Sequence, residues 1–567
     1  MPKFHSILSY FLLLFLANSF YCFSQKKEKK LYLITYNVSA ELKDTLDFNN
    51  YKEIDTHIIE TTKELQQSGH LSSYFEKPIK ENDSTFRIRL IKTEKTNFIK
   101  INNWDSLPRE VKKKATPINS KSKNIFKVAQ LQLLMKTINQ IYSNSGNPFN
   151  SAQLTDFKKK QDTLSAYLNI TTKKKRIIDS LVVKGYPKFP LGFLKHYVDL
   201  RKGTLFQNKK IKEQTLQINN LPFANNSRPA EILFNTNQTV LYLYLKKKVA
   251  NNFDGFLGFS TDEENGNLVL DGYLNLNLVN NLNFGEEIAL IYKSDSEEQQ
   301  QFKLNTKLPY IFDLPLSLEA GLEIFRQKDE FSSTTQNIGF SYAFSPKIET
   351  LLGYKKTESA DLNENENLVS INQNFDATFF NSEIRYIYRQ ASLLFPIKTK
   401  IVFGAEAGNR KQGNINQHKL SLNVQQIFQL NQRNSIYIAN NAQFFQSNNY
   451  FPNELYRLGG ILSIRGFEEN SLRASLFNVL NTEYRFQLNE TIYVHSIIDF
   501  AFIDNQSPRT TAASNIVGSN KLTSFGVGFG MLTKAGLFKL NYANGKSSSI
   551  PFEFGNSKVH ISLIAFF

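Results

Sequence analysis

Tyr273-Leu274-Asn275-Leu276-Asn277-Leu278 carries a leucine at every second position with Tyr or Asn between. That is the period of a strand with one apolar and one wet face. The same alternation returns in Phe302 to Leu308, Ser435 to Ala442 and Phe538 to Tyr542, and polar turns such as Asp262-Glu263-Glu264-Asn265-Gly266 separate the segments. The texture begins near Val249 and runs to the end of the chain. At about 20 residues per strand and turn, residues 249–567 hold roughly sixteen strands, more than one sandwich uses. Alternation alone does not separate a soluble sandwich from a barrel, but length favours a barrel with lipid outside and water inside.

The C-terminus reads the same way. In Val559-His560-Ile561-Ser562-Leu563-Ile564-Ala565-Phe566-Phe567 the odd positions are all apolar and the chain stops on an aromatic. The sequence has 48 Phe and 25 Tyr against the single Trp104, with a mean hydropathy of −0.36. Rings in that number suit girdles at the two lipid–water boundaries.

Residues 1–24 stand apart. Lys3 and His5 precede an apolar run from Ile7 to Phe20, and Cys22-Phe23-Ser24 gives way to Gln25-Lys26-Lys27, the layout of a secretory signal peptide. A lipoprotein signal through Cys22 would want a small residue where Tyr21 stands. Beyond this segment no apolar run reaches the roughly 18 residues of a helical span, but an exported chain can still cross a membrane as a barrel. One Cys and 7 His in the whole chain leave neither a disulfide framework nor a zinc set, so no metal and no cofactor are expected.

The net charge of +17 is unevenly spread: residues 25–250 hold 41 Lys+Arg against 20 Asp+Glu, and residues 251–567 hold 26 against 31. Export removes nucleic acid as the partner of the basic half. The runs Lys112 to Lys114, Lys158 to Lys160 and Lys173 to Lys175 read as solvated faces, with anionic lipid as the sharper alternative. No enzyme is expected. Gly545-Lys546-Ser547 lacks the earlier glycine of a phosphate loop, and no Gly-x-Ser-x-Gly, His-Glu-x-x-His or Cys-x-x-Cys occurs.

Between residues 28 and 248 one pattern returns three times: strand, helical stretch, glycine turn, two strands. The third copy has strand Arg176 to Val183, then Leu191, Leu194 and Val198 at helical spacing before Gly203 and a second helix from Asn208 to Asn219. A hairpin of Ala230 to Asn235 and Thr239 to Leu245 closes it. The second copy offers Phe98 to Ile101, a helix bearing Leu131, Leu134, Ile138 and Ile141, the turn at Gly146, and strand Leu164 to Ile170. The first runs from Leu31 to about Ile91, with helix Tyr51 to Gln67 and strand Phe86 to Ile91. This order resembles the POTRA domain, a β-α-α-β-β module. The expected divisions are a signal peptide (1–24), POTRA-like modules at 25–96, 97–172 and 173–248, and the barrel at 249–567. The open sheet edge of such a module accepts an extended client as an added strand through main-chain hydrogen bonds.

The most specific segment is Leu455-Tyr456-Arg457-Leu458-Gly459-Gly460-Ile461-Leu462-Ser463-Ile464-Arg465-Gly466-Phe467. It resembles the BamA/TamA superfamily of outer-membrane POTRA-plus-barrel proteins, in which a Gly-Gly and a (Val/Ile)-Arg-Gly-(Phe/Tyr) tetrad sit in a long loop folded into the lumen between strands eleven and twelve of sixteen. Five strand candidates follow it here, matching that count. The tetrad is Ile464, Arg465, Gly466 and Phe467. Asp499 in Ile497-Ile498-Asp499-Phe500-Ala501 matches the acid of the superfamily's Asp-x-Gly, with Ala501 replacing the Gly, and Glu483 matches the acid of the preceding strand. Physically, an Arg in a partly dry lumen needs an acidic partner, and Gly466 lets the loop backbone run close to the wall. The resemblance also makes Phe567 part of the signal read by the assembly machinery.

The fold expected is therefore α+β POTRA-like modules followed by an antiparallel transmembrane β-barrel of about 16 strands in the outer membrane, with the N-terminal half in the periplasm. The implied function is insertion or export of unfolded client proteins, or of lipids, through a barrel that opens between its first and last strands. A two-partner-secretion-type transporter of one client, or a passive channel, is the alternative. Three modules in a chain this short look most like the TamA branch, which would imply a periplasmic or inner-membrane-anchored partner protein that no residue here calls for by itself.

Overall fold

The computed structural model describes residues 30–37, 40–114, 124–261, 268–294, 299–363, 372–461, 463–504, 520–548, 552–553, 555 and 557–567. The expected signal peptide and the acidic turn at 262–264 lie outside them. Two compact units result, one of Met1–Arg176 with Phe206–Asn208, the other of Ile177–Leu205 with Lys209–Phe567.

In the first unit, strand Leu31–Asn37 lies between Ala40–Phe48, antiparallel, and Thr85–Ile91, parallel; the last also pairs with Tyr74–Phe75 and Ile79–Lys80. Helix α1 (Tyr51–Gln67) starts where the Asn50 side chain accepts the Glu53 N–H at 3.1 Å, satisfying a donor that the first helical turn leaves unpaired. Its Ile54 is buried with Leu33 and Ile88. A second sheet puts Phe98–Ile101 between Ile125–Lys127 and Thr163–Thr171, with Ser151–Lys160 as the outer strand. Helix α2 (Val128–Asn144) turns Leu134, Ile138 and Ile141 onto Ile99, Ile101, Phe126 and Leu168.

The second unit begins with a third sheet. Ser180–Lys184 runs parallel to Thr239–Lys247, which pairs antiparallel with Glu231–Phe234 and Ala224–Asn226. Leu241, Leu243 and Leu245 are buried, and helix α3 (Asn208–Gln217) buries Ile211. All three modules are POTRA-like mixtures of helix and sheet, with two departures from the β-α-α-β-β order. Among the described residues the first module carries a second strand, Ala40–Phe48, between its first strand and helix α1, and only one helix of length. In the third module the expected first helix is one wide turn, Phe193–Tyr197. Pro190 on one side and Asp199 at φ 57° on the other leave it no room to lengthen, so Leu191 stays exposed while Leu194 and Val198 are buried. The strand expected over Arg176 to Val183 pairs regularly only from Ser180; Ile177 makes an isolated bridge to Leu205.

Replacing Leu243 by Asp puts an unpaired charge into this core, a penalty of several kcal/mol. Limited proteolysis of Leu243→Asp should cut within residues 174–248 and spare the barrel. Undiminished protease resistance there would refute this core.

The rest of the chain is a closed antiparallel barrel of sixteen strands. They are β1 (Asn252–Thr261), β2 (Leu268–Val279), β3 (Glu287–Ser294), β4 (Gln299–Leu308), β5 (Leu316–Gln327), β6 (Phe331–Ser345), β7 (Ile348–Asp361) and β8 (Phe375–Arg389), then β9 (Ile397–Arg410), β10 (Ile415–Gln429), β11 (Asn434–Ser447), β12 (Leu476–Gln487), β13 (Ile492–Asp504), β14 (Asn520–Leu532), β15 (Leu537–Lys546) and β16 (Lys558–Phe566). Alternation sets the faces: Ile338, Phe340, Tyr342 and Phe344 of β6 are exposed on the outside, as are Val559, Ile561 and Leu563 of β16. Apolar side chains pointing out from a closed barrel belong against lipid, where main-chain groups are paired from strand to strand rather than with water. Among the described residues no helix is long and apolar enough to cross a membrane; the strands do so.

The third module packs on the barrel. Asn280, after β2, donates to the Tyr186 hydroxyl at 2.7 Å, and the Phe193 ring meets Tyr310 edge-on at 4.8 Å. Gly285 is required there: its φ is +79°, and a Cβ would fall 2.0 Å from the Phe193 ring.

Candidate functional site

The loop between β11 and β12 enters the lumen as a short ribbon, Tyr456–Leu458 against Leu472–Ala474. The ribbon narrows at Gly459 and Gly460, both at positive φ. A Cβ on Gly459 would fall 1.8 Å from the Glu468 carbonyl oxygen, so only glycine allows the two arms to close there.

The structure brings Arg465 to both acids singled out in the sequence. Its Nε donates to Asp499 Oδ2 at 2.9 Å and its NH2 to Asp499 Oδ1 at 2.5 Å, a two-pronged pair. NH1 donates to Glu483 Oε1 at 2.6 Å, and the Arg465 backbone N–H adds a bond to Asp499 Oδ2 at 3.1 Å. Glu483 in turn accepts from Arg485 Nε at 2.7 Å. Asp499 is 0% exposed and Arg465 6%, so the pairing is fully buried rather than only partly dry. Planar guanidinium matches planar carboxylate here in a way an ammonium cannot.

The other tetrad residues hold the loop against the wall. A Cβ on Gly466 would lie 2.6 Å from Gly545 N, and one on Gly545 would lie 2.5 Å from the Phe467 ring. Two glycines therefore let backbone meet backbone between loop and β15. Ile464 and Phe467 sink into a buried cluster with Phe477, Val479, Ala501 and Leu522. Ala501, the departure from the superfamily's Gly, contributes its methyl to that cluster.

Sequence reading missed three further fastenings. At the loop's entry, Glu454 pairs with Arg410, accepts from Gln417 Nε2 at 3.0 Å and accepts the Phe451 N–H at 3.0 Å. The Arg410 guanidinium also lies 3.7 Å over the Phe451 ring. Within the ribbon, Arg457 stacks 3.8 Å over Phe325 of β5. At the tip, Glu468 accepts from Lys558 of β16 at 2.8 Å, Glu469 from Lys293 of β3, and Asn470 donates to Gln299 of β4 at 3.3 Å. The tip thus touches the wall on both sides of the junction between first and last strands.

That junction is the weakest ladder of the barrel. Among the described residues β1 meets β16 only where Asn252 faces Phe566 and Phe253 faces Ala565, whereas β1 and β2 pair without a break from Asn252 to Thr261. Phe567 lies just beyond, exposed, its N–H donating to the Asn251 carbonyl at 3.1 Å.

Residues 280–558 match the model of the Omp85 superfamily domain. Among solved structures, the chain is similar to CdiB from Escherichia coli at 14% identity and a TM-score of 0.49, covering 91% of this chain and 97% of that one. CdiB from Acinetobacter baumannii gives 13% and 0.48, covering 91% and 98%. BamA from Haemophilus ducreyi lacking POTRA domains 1–3 gives 12% and 0.47, covering 77% and 93%. No curated protein matches the sequence.

Proposed function

We propose, from the premise that this chain belongs to the Omp85 superfamily of outer-membrane barrels, that it inserts or exports client proteins at the outer membrane by opening laterally between β1 and β16. The observation that carries this reading is the two-pair junction of those strands. With a net worth of about 0.5–1.5 kcal/mol per main-chain hydrogen bond, such a ladder resists opening by a few kcal/mol at most. Once open, its edges present unpaired N–H and C=O groups on which a client strand can add. The exposed pairs of the loop tip add little, since surface ion pairs are worth about 0–1 kcal/mol. The buried Arg465 cluster keeps the loop itself in place while the seam moves.

The modules serve as receptors on the periplasmic side, where both ends of the barrel chain emerge. Ser151–Lys160, paired on one side only among the described residues and bulged between Thr155 and Lys158, offers an edge on which an extended client can add. Folding and lipid burial of the client supply the energy, and no catalytic residue is assigned.

Depletion of the protein followed by quantitative proteomics of outer membranes tests this. Many integral outer-membrane proteins should fall together. Loss of one secreted product alone would replace this reading with dedicated secretion, and loss of solute uptake alone with a passive channel.

A further inference from the structure

The third module has two unlike ends. Ser180–Lys184 and Thr239–Lys247 run parallel, so both strands begin at one end of the module and finish at the other. At the first end the Asp179 side chain accepts the Thr239 N–H at 2.7 Å. At the second gather Lys184, Lys188, Lys246, Lys247 and Lys248, all exposed. Gly185 draws the two runs together there: its φ is +83°, and a Cβ would fall 2.5 Å from the Leu245 carbonyl oxygen.

The lysine end is the one that joins the barrel. Four residues carry the chain from Lys248 to Asn252, where β1 starts, a reach of at most about 14 Å. Tyr186, between Lys184 and Lys188, accepts from Asn280 in the turn after β2, and Asn251 donates to Asn281 of the same turn at 3.0 Å. Phe567, just past β16, donates its N–H to the Asn251 carbonyl. The lysines therefore stand at the mouth of the seam.

Their charge is not matched within the chain. Among the described residues none of the five has an ion pair, whereas Lys195 is held by Asp313, Lys210 by Asp199 and Arg228 by Glu231. The acids of the adjoining strands and turn are engaged elsewhere. Glu286 is 1% exposed and accepts the N–H groups of Leu282 and Phe284 at 2.6 and 3.1 Å, while Glu287 and Asp254 face into the lumen. Counting a terminal carboxylate at Phe567 against the five lysines leaves four charges over.

The surroundings identify what covers them. The turns at this end of the barrel carry Leu282 and Phe284 after β2, Phe312 and Leu314 after β4, Leu393 after β8 and Leu430 after β10, all between 51% and 84% exposed. Val249, next to the lysines, is exposed as well. Apolar tips on turn after turn are unfavourable in water and belong at the bilayer boundary. That puts the lysines at headgroup depth, where their stems lie along the apolar rim and their ammonium groups stay among phosphates. An acidic protein would meet the charge but not the rim; an anionic lipid meets both.

We propose that Lys184, Lys188 and Lys246 to Lys248 form a docking surface for anionic phospholipid headgroups at the mouth of the seam. The inference rests on the outer-membrane setting of the barrel, not on lateral opening or on clients, and either can fail without the other.

The purified full chain in dodecyl maltoside, titrated with dioleoyl-phosphatidylglycerol and followed by native mass spectrometry, should hold that lipid about tenfold or more tighter than dioleoyl-phosphatidylcholine. Each lysine beside anionic headgroups contributes roughly fivefold, so Lys246→Gln, Lys247→Gln and Lys248→Gln together should remove most of the preference. The same three changed to Arg should keep it, and Lys411→Gln with Lys521→Gln, at the opposite end of the barrel, should leave it unchanged. In nanodiscs holding phosphatidylglycerol with a photoreactive headgroup, adducts on the full chain should fall within residues 184–191 and 245–253. Heat-modified gel mobility checks that each variant is folded. Equal affinity for the two lipids, an undiminished preference in the folded triple Gln variant, or adducts confined to other residues would each overturn the proposal, the first by leaving this face to an acidic protein or to solvent.

Discussion

Arg465→Ala should lower both the heat stability of the barrel and client assembly, because it leaves Asp499, 0% exposed, without the guanidinium that neutralises it. Breaking one side of a buried pair costs about 3–5 kcal/mol, and the dryness of this site places the expectation there rather than at the lower value a hydrated lumen would give. The barrel should still close, since its ladder from β1 to β15 does not depend on the loop. Arg465→Lys should rescue in part: it keeps the charge but cannot meet Asp499 with two parallel bonds and Glu483 with a third. A cycle of Arg465→Ala, Asp499→Ala and the double variant reads the pairing directly by heat-modified gel mobility. The double should lose little more than either single. Additive losses, or a single variant as stable and active as wild type, would detach the tetrad from function.

What was legible in the sequence follows from how far a signal reaches along the chain. The strands after the loop were expected at Ser475 to Gln487, Thr491 to Ile503, Leu522 to Met531, Ala535 to Asn544 and Val559 to Phe567, and lie within two residues of those limits. Alternation is a local property and survives any tertiary context that keeps one face in lipid. Helix α1 and strand Phe98–Ile101 were legible for the same reason. Arg410 with Glu454 was not: the partners are 44 residues apart, and an Arg closing a strand carries no pattern until the loop folds onto it. Glu468 and Glu469 looked like any solvated loop acids, and Gly545 was weighed only as a failed phosphate loop, although it makes room for Phe467. The short junction of β1 and β16 depends on register at the ends of the barrel, which no single strand encodes.

The seam supplies the other large effect. Phe253 and Ala565 face each other across it, at the separation of directly opposed antiparallel residues, which a disulfide can span. Oxidised Phe253→Cys with Ala565→Cys should therefore lock the one ladder that opening must break, and client insertion should fall about tenfold or more and return on reduction. A covalent link is far stronger than the few kcal/mol that hold this ladder, so the loss should not depend on the client. The matched control is Leu352→Cys with Ser382→Cys, directly opposed on β7 and β8, where a paired ladder already forbids separation and a bond should change nothing. Single-cysteine variants control for the lost Phe253 ring. If the oxidised seam variant inserts clients at the wild-type rate, lateral opening is wrong. A locked barrel that still exports a client would instead pass it through the lumen, past the loop that Arg465 holds, and the weak junction would then be only the place where the sheet happens to close.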